Sequence, residues 1–239
     1  MKITALVVSL GMIATSVLAE TRFESGPART SLLELYTSEG CSSCPPAEAQ
    51  LSRLKENAGL WKQFVPVAFH VDYWDRLGWR DRYSSPQYTA RQSRYAALWQ
   101  SELVYTPAFV LDGKEMRGGL GGISSPNEKA GTLSATSADG KSWSIKFQPT
   151  AGGADWQAHL ALLGAGISSK IGAGENGDRN LVHDFVVLGL RDVPLQDGAA
   201  RLTIPAASES APRQAVAIWV TRGNELTPLQ ATGGWLAAR

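Results

Sequence analysis

Cysteine is scarce: the 239-residue chain holds two, Cys41 and Cys44, beside three histidines and three methionines. A disulfide-stapled miniprotein needs more bridges than one, and a bridge across so short a loop restricts the unfolded chain little. A zinc site of four soft ligands lacks half its donors, because His70, His159 and His183 do not repeat the Cys-x-x-Cys spacing. Neither sign of charge is in excess. The 23 Lys and Arg against 22 Asp and Glu leave a formal net charge of +1, without the basic footprint that nucleic acid requires. Long apolar runs are absent beyond the first, Ile3 to Ile13, which follows Lys2 and precedes Thr15-Ser16-Val17-Leu18-Ala19. That run is shorter than the roughly 20 residues a bilayer crossing needs, and its small-residue end suits a signal peptidase. Residues 1–19 therefore read as a signal peptide, leaving a nearly neutral exported chain with no membrane span, periplasmic or secreted.

The remainder is long enough for two small domains. Ser31 to Tyr36 reads as a buried strand, Ala47, Leu51, Leu54 and Leu60 as the apolar stripe of a helix, and Phe64 to Val71 as a strand covered on both faces. A helix is expected from about Pro86 to Gln100, then a strand at Ala108 to Leu111, the turn Asp112-Gly113 and a return strand around Met116. Glycines 118, 119, 121 and 122 and the turn-prone Ser124 to Asn127 mark a boundary. Beyond it, Ser142 to Gln148, Gln157 to Leu163, Asp184 to Leu190, Ala200 to Ile204 and Ala215 to Val220 are short runs spaced as in a sandwich. The expected class is α/β: an α/β domain at 28–122, then a smaller all-β, sandwich-like domain at 128–239.

A Cys-x-x-Cys pair can close to a disulfide and reopen with little backbone movement, storing two electrons in one loop. Placed between a buried strand and a helix, it points to redox exchange, with Cys41 the more exposed nucleophile and Cys44 its resolving partner. A permanently closed structural bridge is the alternative reading of the same spacing.

Residues 30–118, with their strand, Cys-x-x-Cys, helix, strand, helix, Thr106-Pro107, strand and hairpin, resemble a thioredoxin fold. More specifically, Glu34 to Ala47, with its Cys-Ser-Ser-Cys-Pro-Pro run, and His70 to Trp79 are similar to a family of exported bacterial proteins catalogued as a domain of unknown function. Gly174-Glu175-Asn176 and Leu181-Val182-His183 resemble that family's downstream signature. The resemblance implies a thioredoxin-like domain, a cis-proline at Pro107 beside a catalytic Cys41–Cys44 pair, no cofactor and no metal. It implies protein or small-molecule thiols and disulfides of the envelope as partners. Gly40 stands where the best-known redoxins carry tryptophan, and no closing helix is found from Leu120 to Gly131, so the β domain is expected to cover that face. Pro45-Pro46 follows the second cysteine, so the helix is expected to start near Pro46, away from the thiols.

Thr106, Tyr73, Trp74 and Trp79 are expected to line a lip that binds substrate, the alternative being a small satellite core. Glu34, inside the first strand, is a candidate for proton transfer, the alternative being a structurally paired carboxylate; Glu39 would disfavour a thiolate at Cys41. His70 with Asp72 admits a copper-handling reading against that of a hydrogen-bonded strand-end histidine. His183 and Asp184 read as fixing a turn or a domain interface. The function expected is a thiol–disulfide oxidoreductase; the rival is a non-catalytic thioredoxin-like binding module with a structural disulfide, and metal handling stands third.

Overall fold

The computed structural model describes residues 20–121, 123, 128–150, 152–153, 155–204 and 206–237. The expected signal peptide and most of the turn-prone boundary segment lie outside the described residues. In chain order the elements are β1 (Thr21–Glu24), β2 (Ser31–Thr37), α1 (Cys44–Arg53), β3 (Phe64–His70), α2 (Pro86–Leu98), β4 (Ala108–Leu111), β5 (Lys114–Met116), β6 (Thr132–Ser137), β7 (Ser142–Gln148), β8 (Trp156–Ala165), β9 (Ile167–Lys170), β10 (Asn180–His183), β11 (Val186–Pro194), β12 (Ala199–Thr203), β13 (Arg213–Arg222) and β14 (Gln230–Trp235). No helix among the described residues is long and apolar enough to cross a membrane.

The expected α/β class is corrected. Strands dominate, and α1 and α2 are the only two α-helices among the described residues. A thioredoxin-like domain followed by a smaller sandwich is not the arrangement found. One eight-stranded sheet, in the order β14-β13-β8-β11-β3-β2-β4-β5, takes strands from both sides of the glycine-rich segment. β3 is parallel to β2 on one side and to β11 on the other, whereas β11, β8, β13 and β14 pair antiparallel. The reason lies in β8 and β13, whose residues are buried on both faces over most of their length. A strand of an ordinary two-layer sandwich keeps one wet face, so strands this dry belong inside a covered sheet. On β13 the alternation is clean: Ala215, Ala217 and Trp219 enter the core shared with Leu33, Phe69 and Tyr95, and Val216, Ile218 and Val220 enter a second core with Trp143, Ile145 and Phe147. That second core is roofed by a four-stranded sheet, β1-β6-β7-β12.

The helices follow local rules. Ser85 caps α2 by accepting the Gln87 amide at 3.2 Å, and Pro86 fills the first position, where a missing N–H costs nothing. The helix α1 begins at Cys44, not near Pro46, because both prolines fit its first turn for the same reason.

Helix α2 is tied to the sheet by one buried ion pair. Arg91 donates to both oxygens of Glu34, at 2.7 and 3.0 Å, and the hydroxyls of Tyr36 and Tyr95 donate to the same carboxylate at 2.8 and 2.6 Å. The guanidinium also lies over Phe69, Tyr95 and Trp219 at about 5.5 Å from each ring centre. Glu34 is therefore the paired structural carboxylate of the two readings, and no cysteine is among its partners. Arg91→Leu leaves that carboxylate buried and uncompensated, and is expected to cost about 3–5 kcal/mol in urea unfolding. Combining it with Glu34→Gln should recover part of the loss.

Candidate functional site

The carboxyl ends of β2 and β3 lie side by side, with Thr37 opposite His70 in the register. The loop after β2 turns back on itself, Cys41 N bonding Ser38 O and Cys44 N bonding Cys41 O, each at 3.2 Å, and delivers Cys44 as the first residue of α1. Both thiols are free and neither exposes surface to solvent, but Cys41 is the less deeply buried of the two. Ser43 and the Thr106 segment cover Cys41: its sulfur is 3.2 Å from Ser43 Oγ and 3.8 Å from Thr106 O. The Thr106–Pro107 bond is cis.

What separates the thiols is acidity. A hydrogen bond from Cys44 outweighs burial and, helped by Ser43 and Thr106, brings Cys41 down to about 6. Burial pushes Cys44 far above the ordinary thiol range. Ser43 makes no side-chain cap, and Pro45 and Pro46 carry no N–H, so the first turn of α1 presents few amides to a thiolate. The depressed Cys41 value therefore rests on its sulfur and hydroxyl neighbours more than on the helix terminus.

Of the expected site residues, Thr106, Pro107, Tyr73 and Trp74 gather at the thiols. Trp74 Nε1 donates to Thr106 Oγ1 at 2.8 Å, and Trp74 packs where a Gly40 side chain would stand, a Cβ at 40 meeting its Cβ at 3.2 Å. Bulk at position 40 and Trp74 are alternatives. Tyr73, whose hydroxyl burial keeps protonated, bonds Gln92, and Gln92 holds Tyr105 O at 2.6 Å. Beside them lies a cleft of about 260 Å³ lined by Ser43, Tyr105, Pro107, Phe109 and Met116. Trp79 stands apart and donates to Glu39 Oε2 at 2.7 Å.

The Cys41 loop is clamped from the downstream half of the chain. Asn176 Nδ2 donates to the carbonyls of Glu39 and Cys41, each at 2.9 Å, and Glu175 accepts from Ser42 N at 3.0 Å and Ser42 Oγ at 2.7 Å. Gly78 and Gly174 lie near one another, a Cβ at 78 meeting Gly174 at 3.6 Å, and the positive φ of both strains any other residue there. The sequence marks 174–176 as a signature, but nothing in its composition says that it reaches back to the cysteines.

Beneath the thiols is a buried polar cluster. His183 bonds Glu48 through Nδ1, Glu48 accepts from Thr37 Oγ1, and His70 Nδ1 lies 2.7 Å from Asp81 Oδ2. His183 Nε2 and Glu39 Oε1 lie 3.3 Å apart without hydrogen-bond alignment. Burial alone would discharge both imidazoles, but the carboxylates prevail: Glu39 and Glu48 hold His183 up at about 10, and Asp81 raises His70. Asp184 accepts from Gly166 N and pairs with Lys55, so it does fix a turn, whereas His183 goes inward. Asp72 bonds Thr89 and not His70. Glu48, His70 and His183 are the described residues whose donor atoms could converge on a metal. Glu48 and the inward turn of His183 escape sequence reading, the only trace of Glu48 being a carboxylate on the stripe side of α1, and Asn176 is marked by the signature without its role.

The chain belongs to a family described as protein of unknown function, DUF1223, whose pattern spans residues 32–221. No curated protein matches it. Among solved structures it is similar to protein AGR_C_4864 of Agrobacterium tumefaciens, 23% identical over 87% of this chain and 94% of that one, with a TM-score of 0.60. It is also similar to HBP35 of Porphyromonas gingivalis, 13% identical over 89% and 76%, with a TM-score of 0.58. At these identities the likeness is one of fold alone.

The acidity of Cys41 has a direct readout. The groups facing it are Cys44, Tyr73 and, through Ser42, Glu175. A thiolate with a depressed pKa is present above that value and lost as pH falls through it. Iodoacetamide alkylation of Cys41 in the reduced chain should therefore rise to half its plateau near pH 6. In Cys44→Ala, which lacks the largest lowering cause, the midpoint should move towards that of an ordinary thiol.

Proposed function

We propose that this chain is a thiol–disulfide oxidoreductase of the bacterial envelope, acting on protein or small-molecule thiols and disulfides. The observation that carries this reading is the split between two adjacent free thiols, Cys41 held down at about 6 and Cys44 held protonated by burial. A structural bridge needs no such asymmetry, whereas exchange needs one thiolate that attacks and one thiol that waits. The thioredoxin-like resemblance of the Cys-x-x-Cys and Thr-Pro segments supports the same chemistry at the site, though not the same overall fold. The signal peptide expected at residues 1–19 is what supports the envelope as the place.

In the reductive direction, Cys41 Sγ⁻ attacks one sulfur of a substrate disulfide. The substrate S–S bond breaks, and its other sulfur leaves as a thiolate that takes up a proton. Cys44 then loses its proton and attacks Cys41 Sγ in the mixed disulfide. The Cys41–Cys44 bond forms, the second substrate sulfur leaves and is protonated, and two electrons have passed to the substrate. The oxidative direction is the reverse. Pro107 and Thr106 flank the sulfur, so a bound chain enters along the cleft beside Tyr105 and Met116. Because Cys41 is fully covered in the free chain, the cover over it moves when substrate docks.

That same burial favours a rival, the non-catalytic binding module, and trapping separates the two. Cys44→Ala expressed in a bacterial envelope should accumulate mixed disulfides on non-reducing gels, and these should vanish when Cys41→Ala is added. Pro107→Ala should lower the trapped amount several-fold. If no adduct forms and the wild-type pair stays oxidised at glutathione poises far below that of the envelope, the binding module stands instead.

A further inference from the structure

We propose that Glu48, His70 and His183 form a binding site for one divalent ion of the zinc class, inside the protein and separate from the dithiol. They come from three elements, α1 and the ends of β3 and β10, and one donor atom from each lies within 4.8 Å of the others. All three side chains are buried.

The hydrogen bonding favours an ion. A metal-binding histidine characteristically has one ring nitrogen anchored on a carboxylate, which orients the other towards the metal. Both imidazoles are held this way, His70 Nδ1 by Asp81 at 2.7 Å and His183 Nε2 by Glu39, whose Oε1 lies 3.3 Å away, leaving His183 Nδ1 directed at Glu48. The opposite nitrogen of His70, Nε2, is buried without a hydrogen-bond partner. A protein seldom leaves a buried imidazole nitrogen unsatisfied, and this one belongs to a ring whose centre is 5.3 Å from that of His183.

The charge is also of the right sign. Glu39, Glu48 and Asp81 place three carboxylates around two imidazoles, so the pocket holds an excess of negative charge even with both rings protonated, and a dication would displace those protons. Glu48 keeps the Thr37 hydrogen bond on Oε1, while the ion takes the proton's place between Oε2 and His183 Nδ1. Imidazole nitrogen with one carboxylate oxygen suits zinc and its neighbours in the transition series, not magnesium or calcium, which favour oxygen alone.

The dithiol would itself hold zinc, so the test removes it. The full chain carrying Cys41→Ser and Cys44→Ser is refolded from urea in ZnCl2, desalted and assayed for metal. About one zinc per chain is expected. Asp81→Asn, which weakens the anchor of His70, should weaken zinc affinity by about 10–100-fold, and His70→Gln should reduce retention to background. Cobalt(II) in the same dithiol-free chain should give visible d–d bands without thiolate charge transfer. Should the histidine variants fail to fold, the parent still decides: its Tm should rise in ZnCl2 and stay unchanged in MgCl2. A dithiol-free chain that retains no zinc and shows no shift overturns the proposal. Such a failure leaves the thiol chemistry standing, because the trapping experiment uses neither histidine.

Discussion

His183 and Glu48 are 135 positions apart in the chain and meet in its interior, where each would be a buried charge without the other. An ionised group far from water is tolerated only when paired and hydrogen-bonded. Their contact therefore obliges β10, α1 and the loop carrying Glu39 to assemble together. The thiols sit on that assembly: Cys44 lies one helical turn before Glu48, and Cys41 is held by Asn176 from the same downstream segment that ends in His183. A chain folded only to residue 122 would have the cysteines but not the groups that fix their loop.

The same dependence explains the large sheet. β11 lies directly beside β3 and follows β10 with a two-residue gap, so docking His183 brings β11 into register against β3. β8 then pairs with β11, and β13 and β14 continue the sheet outward. Arg91 makes a second tie, bonding Glu34 in β2 while lying over Trp219 in β13. A buried ionic contact and a cation–π contact thus bridge the parts that composition separates.

What was legible in the sequence was local. Cys41-x-x-Cys44, Thr106-Pro107 and Ser85-Pro86 each carry their meaning within a few residues, and β7 is found at the bounds that its alternation predicts, Ser142 to Gln148. Hydrophobic alternation tells which faces of a strand are dry, not which strand lies next to it. β8 and β13 read as sandwich strands for that reason, and the α/β class failed with them. Pro45-Pro46 misled in the other direction, because the rule that proline disfavours a helical predecessor yields at a first turn, where the lost amides had no partners. Glu48 was illegible on different grounds: a glutamate beside an apolar stripe reads as solvated until a histidine from residue 183 arrives over it.

Thr37 is where the polar cluster and the thiols touch. Its hydroxyl donates to Glu48, and the same side chain bonds the Cys44 thiol, lowering that thiol's pKa against the much larger effect of burial. One hydroxyl has a single proton to give. While Glu48 takes it, that proton is not free for a Cys44 thiolate, so what Thr37 can do to lower Cys44 stays small beside the effect of burial. Cys44 therefore keeps its own single proton and gives it to Cys41, whose thiolate it stabilises. The asymmetry of the two sulfurs thus rests on burial and on the direction of the Cys44 to Cys41 hydrogen bond, and the order Cys41 first, Cys44 second follows from that direction.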